Sequence, residues 1–454
     1  MNSYLPLSQI LASSLAVLLA ASELPATAGN GPPQTNSPSL RVSSVGTNGM
    51  PKNIVPKGAD WNFGPGSLWT HRGWQYAAYW DDACQVSVAR RRLPDGLWSV
   101  VSLPGYQRTT NLSRGRGGEI SKGFGDGHEK VSLGISPDGF IHLAFDHHVS
   151  TLHYRRSLLP VAENPAAYSW SPGLFGPLQD HLGGPSIEGV TYPSFTSDGQ
   201  GFTLYLRLNG GSGSADSHFF EYANGRWAIN SPKASKLIDK NWSGGDRTVS
   251  AYPFGLTLHN GRRHLAWCWR DTPDASTCHD LCYAYSDDNG RTWLNNAGQV
   301  IGITGEKCIT ADSPGVAVWK IPPGTKYVNG GSMLVDEGGM VHVLARGETG
   351  APVHFLRDAT TSLWSRQKSP AFGTLIGGQD NWIYLASEDG LHRASASQFG
   401  KMEMLVPAPA ELFKDSRMAV DRMRVDAWIS VIGQTGRKIS VVDYRVGERK
   451  PPQP

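Results

Sequence analysis

Charge and helical periodicity are both scarce in this chain. Asp, Glu, Lys and Arg together supply 18% of its 454 residues, and no long stretch carries the apolar spacing of an amphipathic helix. The lack of such stretches excludes a helical bundle. The formal net charge of +3 is too small to indicate a nucleic-acid-binding protein, although mild basicity suits an acidic substrate.

Cysteine is also scarce, and its five residues are Cys84, Cys268, Cys278, Cys282 and Cys308. An odd count argues against a framework in which every cysteine is paired. Thiolates and an imidazole can close a tetrahedral zinc site, and the candidate ligands are Cys268, Cys278, His279 and Cys282. Such a closed site would be structural. A disulfide from Cys282 to Cys268 or Cys278 is the alternative, and bound calcium is left open.

Long apolar runs are missing except for one near the start of the chain. Ile10 to Ala21 is apolar and is followed by Ala26-Thr27-Ala28, which fits a cleavage site. The run is too short to span a bilayer, and residues 1–28 are therefore predicted to be a signal peptide, although no Lys or Arg precedes the run. The prediction places the mature protein in the periplasm or outside the cell, free of the membrane.

Glycine and tryptophan are plentiful, with 53 and 15 residues. After an extended lead-in at 29–60, short β-branched and aromatic strands recur with Gly/Asp turns at a spacing of roughly 40–50 residues, which is typical of propeller blades. Several copies close on a tryptophan: Trp98, Trp170, Trp227, Trp293 and Trp364. Seven copies predict an all-β, seven-bladed β-propeller over 61–446, with a tail at 447–454. Six or eight blades remain the alternative, because the last two copies are degenerate.

One Asp-box occurs at Ser286-Asp287-Asp288-Asn289-Gly290-Arg291-Thr292-Trp293. The motif predicts a hairpin turn between outer strands of a blade, capped by Ser and Asp and wedged by Trp. It indicates propeller architecture but no particular chemistry.

A histidine-bearing hairpin is predicted between Gly125 and His148. Two strand-like runs are joined by Pro137-Asp138-Gly139, a turn that brings the outer strand ends together, so His128 should meet His147 and His148 at one rim. Alternation favours His148 for chemistry, since His147 shares an apolar face with neighbouring strand residues. His147 is kept as a candidate for substrate binding. Surface or structural histidines are the alternative.

Equivalent positions in the next two blades carry further candidates. Tyr192 and Tyr252 each stand just before a proline at the opening of a blade. Arg207 precedes the Gly-rich stretch Asn209–Gly213, whose missing side chains would let a ligand approach. Ordinary packing of the tyrosines and a plain surface loop are the alternatives.

Together these motifs resemble a known family. DGH, FDHH with a following HYR, TYP, LRLNGGSG, AYP and the block CWRDTPD…HDLCYAYSDDNGRTW look like the seven-bladed propeller polysaccharide lyases that cleave ulvan, within the wider BNR-repeat (Asp-box) group. The resemblance runs from about Trp61 to about Trp319. It implies β-elimination at a 4-linked uronic acid of an acidic polysaccharide, and a structural zinc near the cysteines. The protein is expected to act as a monomer.

The resemblance also implies residue roles. Arg207 would neutralise the substrate carboxylate, since a guanidinium pairs with it and stays charged. His128 and Tyr192 would supply base and acid, in an order that the sequence leaves open, and His148 would share that work. Tyr252 would orient the sugar. A sialidase-like hydrolase and a non-catalytic sugar-binding propeller are the alternatives.

Overall fold

The computed structural model describes residues 40–50, 63, 66–108, 113–114, 120–121, 128–197, 201–242, 245–378, 381–409, 419–421 and 427–446. The predicted signal peptide and C-terminal tail lie outside these residues, and so do Gly125, Asp126 and Gly127 of the predicted histidine hairpin. None of the described residues belongs to a helix long and apolar enough to cross a membrane.

The described strands form seven blades of antiparallel sheet, which confirms the predicted all-β propeller. Blade 1 contains Leu68–His71, Trp74–Trp80, Val86–Arg92 and Ser99–Leu103. Blade 2 contains Val131–Ile135, Ile141–Phe145 and Tyr154–Arg156. Blade 3 contains Val190–Ser197, Phe202–Leu208, Asp216–Ala223, Arg226–Trp227 and Lys236–Ile238, and it is joined by the rim strand His148–Ser150. Blade 4 contains Ser250–His259, Arg262–Arg270, Cys278–Ser286, Thr292–Leu294, Val300–Ile303 and Ala317–Trp319.

Each of the last three blades has four strands. Blade 5 contains Gly331–Val335, Val341–Arg346, Pro352–Arg357 and Trp364–Lys368. Blade 6 contains Thr374–Gly377, Trp382–Ser387, Gly390–Ser395 and Glu403–Pro407. Blade 7 contains Ala419–Asp421, Trp428–Thr435, Lys438–Arg445 and Leu40–Gly46. A separate pair is formed by Ser113–Arg114 and Ile120–Ser121. The helical turns in the described residues are Pro165–Ala167, Pro172–Leu174, Pro232–Ser235, Ala275–Thr277 and Ala396–Lys401.

Each blade buries both of its faces against its neighbours, because successive side chains of a strand point to opposite sides. In Arg262–Arg270, Trp267 and Trp269 pack with Tyr205 of blade 3. Ala266 and Cys268 of the same strand pack in a cluster that extends into blade 5. Core strands therefore read as nearly continuous apolar runs in the sequence.

The Asp-box forms the predicted turn. The Gly290 N–H donates to Ser286 Oγ at 2.9 Å, and the Thr292 N–H donates to Asp288 Oδ1 at 2.7 Å. The Trp293 ring is fully buried, and its indole N–H donates to the Gly290 carbonyl at 2.8 Å. The motif thus anchors the outer strands of blade 4, as its residues predict.

The ring is closed by the strand Leu40–Gly46, which the sequence analysis assigned to the extended lead-in at 29–60. Leu40–Gly46 pairs antiparallel with Lys438–Arg445, and Leu40 lies opposite Tyr444. The propeller therefore starts at Leu40 rather than at residue 61. Pairing Leu40–Gly46 with Lys438–Arg445 covers an edge that the last blade would otherwise expose, which explains why a weakly patterned segment folds as a strand.

A buried ion pair links blade 1 to this closing blade. Arg91 Nη2 donates to both carboxylate oxygens of Asp443 at 2.8 Å, and both side chains are 3% exposed or less. The other terminal nitrogen of Arg91, Nη1, donates to Ser43 Oγ of the closing strand at 3.1 Å. The pair therefore holds blade 1 against blade 7 where the ring closes.

Replacing Asp443 with alanine is expected to lower the free energy of unfolding by about 3–5 kcal/mol, because it leaves the Arg91 guanidinium buried without its counter-ion. Chemical denaturation measures the change. Glu403→Ala is the matched control, since Glu403 pairs with Arg393 on the surface, where an ion pair contributes little. Equal effects of the two substitutions would contradict a role of the buried pair in closure.

A channel of about 1610 Å³ is lined by the innermost strands of all seven blades. Each blade begins with its innermost strand, and the blades repeat the same up-and-down order, so these strands all start at the same end of the ring. We call that end the entry rim. It carries His128, Tyr192, Tyr252 and Asn329, each at or just before the start of an innermost strand.

Candidate active site

Two tyrosines mark the entry rim on neighbouring blades. Tyr192 and Tyr252 lie near the starts of Val190–Ser197 and Ser250–His259, and their ring centroids are 6.4 Å apart. Tyr192 has a φ of 55°, in the left-handed region that a bulky residue rarely adopts. A strained backbone of this kind costs about 1–3 kcal/mol and is typical of functional positions. The two Tyr-Pro motifs do occupy equivalent places, as the sequence predicts.

Two histidines from blade 2 reach this rim. The rings of His128 and His148 stack with centroids 4.6 Å apart, and the His128 ring lies 5.5 Å from that of Tyr192. His148 begins the short strand that leaves blade 2 and pairs with blade 3, where it lies opposite Thr191. This crossing of the chain is what places an imidazole of one blade beside the tyrosine of the next.

A buried network supports both ends of the histidine hairpin. Arg108 Nη2 donates to Glu129 Oε2 at 2.8 Å, next to His128, and Arg108 Nε lies 3.7 Å from Asp146 Oδ1. The Tyr106 hydroxyl also donates to Asp146. Burial raises the pKa of the Asp146 carboxyl above its ordinary value. Since Glu129 and Asp146 flank the hairpin, this network fixes where the two imidazoles stand.

Arg207 lies between the two tyrosines. Its guanidinium carbon is 4.7 Å from the ring centroid of Tyr192 and 4.3 Å from that of Tyr252. Only 2% of the residue is exposed. Its Nε and Nη1 atoms are buried without a hydrogen-bond partner, and it forms no ion pair within the described part of the chain. The rim therefore contains a cation whose charge no described carboxylate balances.

The Gly-rich loop that follows Arg207 holds Tyr252. The Tyr252 hydroxyl donates to Ser212 Oγ at 2.9 Å. Gly213 has a φ of 81°, and a Cβ there would lie 2.6 Å from the Cα of Thr272. Tight packing of the loop thus requires this glycine. Only Gly211 faces open space, so the ligand approach predicted from the glycines is limited to that position.

Arg270 also borders the rim, with its guanidinium carbon 5.3 Å from the Tyr252 ring centroid. Its Nη1 atom donates to Asn329 Oδ1 at 3.1 Å and its Nε atom to the Thr272 carbonyl at 3.0 Å. The sequence reasoning missed Ser212 and Asn329 as supports. The tripeptide Asn-Gly-Gly, which occurs at 209–211 and again at 329–331, was the available signal.

His147 does not join the open part of the rim. It is 1% exposed, and its Nε2 atom accepts the His153 backbone N–H at 2.8 Å. Burial lowers the pKa of His147 well below its ordinary value, so the ring is neutral. Its predicted role in substrate binding stays a prediction that this burial does not favour.

The predicted zinc ligands lie on two faces of blade 4. Cys268 and Cys278 belong to the cluster that faces blade 5, whereas Cys282 belongs to the cluster that faces blade 3. Asp280, with a φ of 54°, interrupts the alternation between Cys278 and Cys282. Although Cys278 and Cys282 are four residues apart, an even number, their thiols therefore lie on different faces of the sheet.

The fourth candidate, His279, contacts carboxylates instead. Its Nε2 atom lies 3.2 Å from Asp271 Oδ1, and its Nδ1 atom 3.3 Å from Asp280 Oδ2. Burial alone would lower the pKa of His279, but Asp280 and Asp271 raise it above its ordinary value. No group of three or more His, Cys, Asp or Glu in the described residues could hold a metal ion. All five cysteines are described, and each is free. This arrangement does not fit a tetrahedral zinc site, and zinc stays a prediction from the sequence.

Comparison with known proteins gives a family and a fold. The sequence model of the BNR repeat-containing family matches residues 74–371. Among solved structures, an ulvan lyase of polysaccharide lyase family 25 matches with a TM-score of 0.57 and 15% identity, over 89% of this chain and 94% of that one. An ulvan lyase of that family bound to -[GlcA(1-4)Rha3S]- matches with a TM-score of 0.57 and 14% identity, over 90% and 94%. No curated protein sequence is significantly similar to this chain.

Proposed function

The chain belongs to the BNR repeat-containing family, and from that premise and the residues of its entry rim we propose that it is a polysaccharide lyase. It would cleave a 4-linked uronic-acid polysaccharide by β-elimination. The observation that carries the proposal is the gathering of His128, Tyr192 and Arg207, from two neighbouring blades, within a few ångströms at one rim.

β-Elimination makes three demands on a site. A base takes the proton from C5 of the uronate, the electron pair of that bond forms a C4–C5 double bond, and the C4–O4 bond breaks. The departing O4 takes a proton from an acid. Negative charge develops on the carboxylate side of the sugar during the reaction, so a fixed cation lowers the barrier.

The rim residues match these demands. His128 and Tyr192, whose rings lie 5.5 Å apart, supply the proton-transfer pair, and His148 stacks on His128 to orient it. Arg207 stabilises the negative charge at short range, and its burial strengthens that effect because little water screens it. Tyr252, held by Ser212, forms the wall of the pocket on the side of blade 4.

The substrate class follows from charge and from a fold relative. An ulvan lyase with this fold is bound to -[GlcA(1-4)Rha3S]-, an acidic disaccharide repeat. We extend that chemistry to this chain: a glucuronate polymer that contains rhamnose, of the ulvan type, in line with the mild positive charge and the unbalanced cation at the rim. The predicted signal peptide would deliver the enzyme to such a polymer outside the cell or in the periplasm.

A sialidase-like hydrolase would pair a tyrosine with a glutamate. Glu188 is near in sequence to Tyr192, but its carboxylate accepts from the Thr151 hydroxyl at 2.5 Å and the Ser186 hydroxyl at 3.1 Å. Most other glycoside hydrolases need two carboxyl groups facing the sugar. The residues gathered here are imidazole, phenol and guanidinium instead, which favours elimination.

Product analysis on a panel of acidic polysaccharides tests the proposal. A lyase gives a conjugated unsaturated uronate, detected by its ultraviolet absorbance. We expect that absorbance to rise with ulvan-type polymer and to stay flat with neutral polysaccharides. New reducing ends without the absorbance would indicate a hydrolase, and binding without either product would indicate a sugar-binding propeller.

Arg207→Ala is expected to raise KM and to lower kcat together, with a loss in kcat/KM of about 10²–10³-fold, because the cation acts on charge in both the bound state and the transition state. Initial rates on the polymer measure both constants. Arg357→Ala is the control, since Arg357 is also buried and lies 5.4 Å from the Tyr283 ring centroid, away from the rim. A change in KM alone would limit Arg207 to substrate binding.

A further inference from the structure

The two tyrosine rings beside Arg207 do not satisfy the hydrogen-bonding capacity of its guanidinium. A ring face offers a guanidinium its π electrons but no conventional acceptor for an N–H in the guanidinium plane. Arg207 Nε and Nη1 are buried and lack such an acceptor among the described residues. Burying a charged group without hydrogen-bond acceptors for its N–H groups is strongly unfavourable, so these atoms need a partner.

Two further unsatisfied groups lie beside Arg207. Tyr205 precedes it by two residues in Phe202–Leu208 and therefore points to the same face of the sheet. Tyr205 is 3% exposed, and its hydroxyl has no hydrogen-bond partner among the described residues. Ser217 lies directly opposite Arg207 on the neighbouring strand and is fully buried, and no group in the described part of the chain partners its hydroxyl.

These three side chains lie on the face of blade 3 that is turned toward blade 4. Tyr205 packs in the cluster that joins those blades. Tyr192 and Tyr252 cover the faces of the guanidinium. An acceptor for the N–H groups at its edge must therefore lie deeper in the seam, by which we mean the boundary between blades 3 and 4. A water molecule can donate to two groups and accept from two, which suits two hydroxyls and two N–H groups.

We propose that a water molecule is bound in this seam and joins Arg207 to Tyr205 and Ser217. Tyr205 and Ser217 are then positioning residues: they fix the plane of the guanidinium between the two rings. The kinetic consequence rests on the proposed function, whereas the water site does not.

Tyr205 suits this role because its hydroxyl keeps its proton. Burial raises the pKa of Tyr205 to about 12, even though the Ser217 hydroxyl, which is near but outside hydrogen-bonding geometry, and the Arg207 charge act to lower it. The hydroxyl therefore stays neutral at neutral pH, and its oxygen accepts a hydrogen bond from the water. A neutral group also leaves the positive charge of Arg207 available at the rim.

Tyr205→Phe and Ser217→Ala test the proposal, since both keep the packing and remove one hydroxyl. Each is expected to lower kcat/KM roughly tenfold, the effect of one lost hydrogen bond to a charged group. Tyr76→Phe is the matched control: its hydroxyl is equally buried and unpartnered, but it belongs to blade 1. Its rates should equal those of the unmodified protein.

A double-mutant cycle separates positioning from a merely structural role. In an Arg207→Lys background, Tyr205→Phe should cause no further loss, because the group that it positions is already gone. Additive losses would overturn the proposal.

A crystal structure at high resolution gives a readout that is independent of activity. It should show one water within hydrogen-bond distance of Arg207, Tyr205 and Ser217, and the Tyr205→Phe variant should lose or displace it. A dry seam would overturn the inference. If no polysaccharide is cleaved, the proposed function fails, and the presence of the water still decides this inference by itself.

Discussion

Tyr192→Phe is expected to lower kcat by about 10²–10⁴-fold while the protein remains folded, because general acid–base groups contribute effects of that size. The substitution removes one oxygen atom. It keeps the ring that lies 4.7 Å from the Arg207 guanidinium carbon and 5.5 Å from the His128 ring. Ultraviolet assays of the unsaturated product give the rate, and thermal unfolding shows whether the fold is kept.

The control for this substitution is Tyr285→Phe. Tyr285 lies on the third strand of blade 4 and stacks on Arg262, with the guanidinium carbon 4.3 Å from its ring centroid. It thus repeats the tyrosine–arginine contact away from the entry rim. A Tyr192→Phe enzyme with near-normal kcat would show that the phenol transfers no proton, and the acid and base would then have to be His128 and His148.

His128→Ala should cause a loss of similar size in kcat, about 10²–10⁴-fold, because it removes the imidazole that faces Tyr192. Added imidazole should restore part of the rate, since the cavity left by the ring can admit a small base. The measurement is the initial rate as a function of imidazole concentration and of pH. Loss of one limb of the pH–rate profile would assign His128 to that proton transfer.

His259→Ala serves as its control. His259 ends the innermost strand of blade 4, at the opposite end of the ring from Tyr252. Its removal should leave kcat and KM unchanged. If His128→Ala retained the normal rate, or if imidazole had no effect while His148→Ala was inactive, the proton-transfer role would belong to His148, whose ring stacks on that of His128.

Local patterns predicted much of the site. The turn at Pro137-Asp138-Gly139 forms between Val131–Ile135 and Ile141–Phe145, and the Gly139 N–H donates to the Ser136 carbonyl at 2.8 Å. The rule for hairpin ends therefore placed His128 and His148 together correctly. The repeated Tyr-Pro pair predicted equivalent places for Tyr192 and Tyr252 on neighbouring blades, because strand starts in a repeating fold are equivalent.

Other features depended on contacts that local patterns do not contain. The sequence grouped Cys278 and Cys282 as ligands of one zinc site, but the left-handed Asp280 between them interrupts the alternation, and the two side chains pack toward different neighbouring blades. The glycines after Arg207 were read as an opening for ligand, whereas Gly213 is required by close packing against Thr272. Both differences arise because patterns along one strand or loop carry no information about the neighbouring segments that pack against it.

Local patterns are enough to predict the repeating strands, the turns that join them and the residue types at each strand start, because these depend on spacings of a few residues. That Leu40–Gly46 completes blade 7 and that Arg207 is buried between two tyrosines follows only from the folded ring. Those outcomes require segments distant in the chain to meet when the ring closes. Such pairings are selected by the shared burial of whole sheet faces, which no single stretch of sequence specifies.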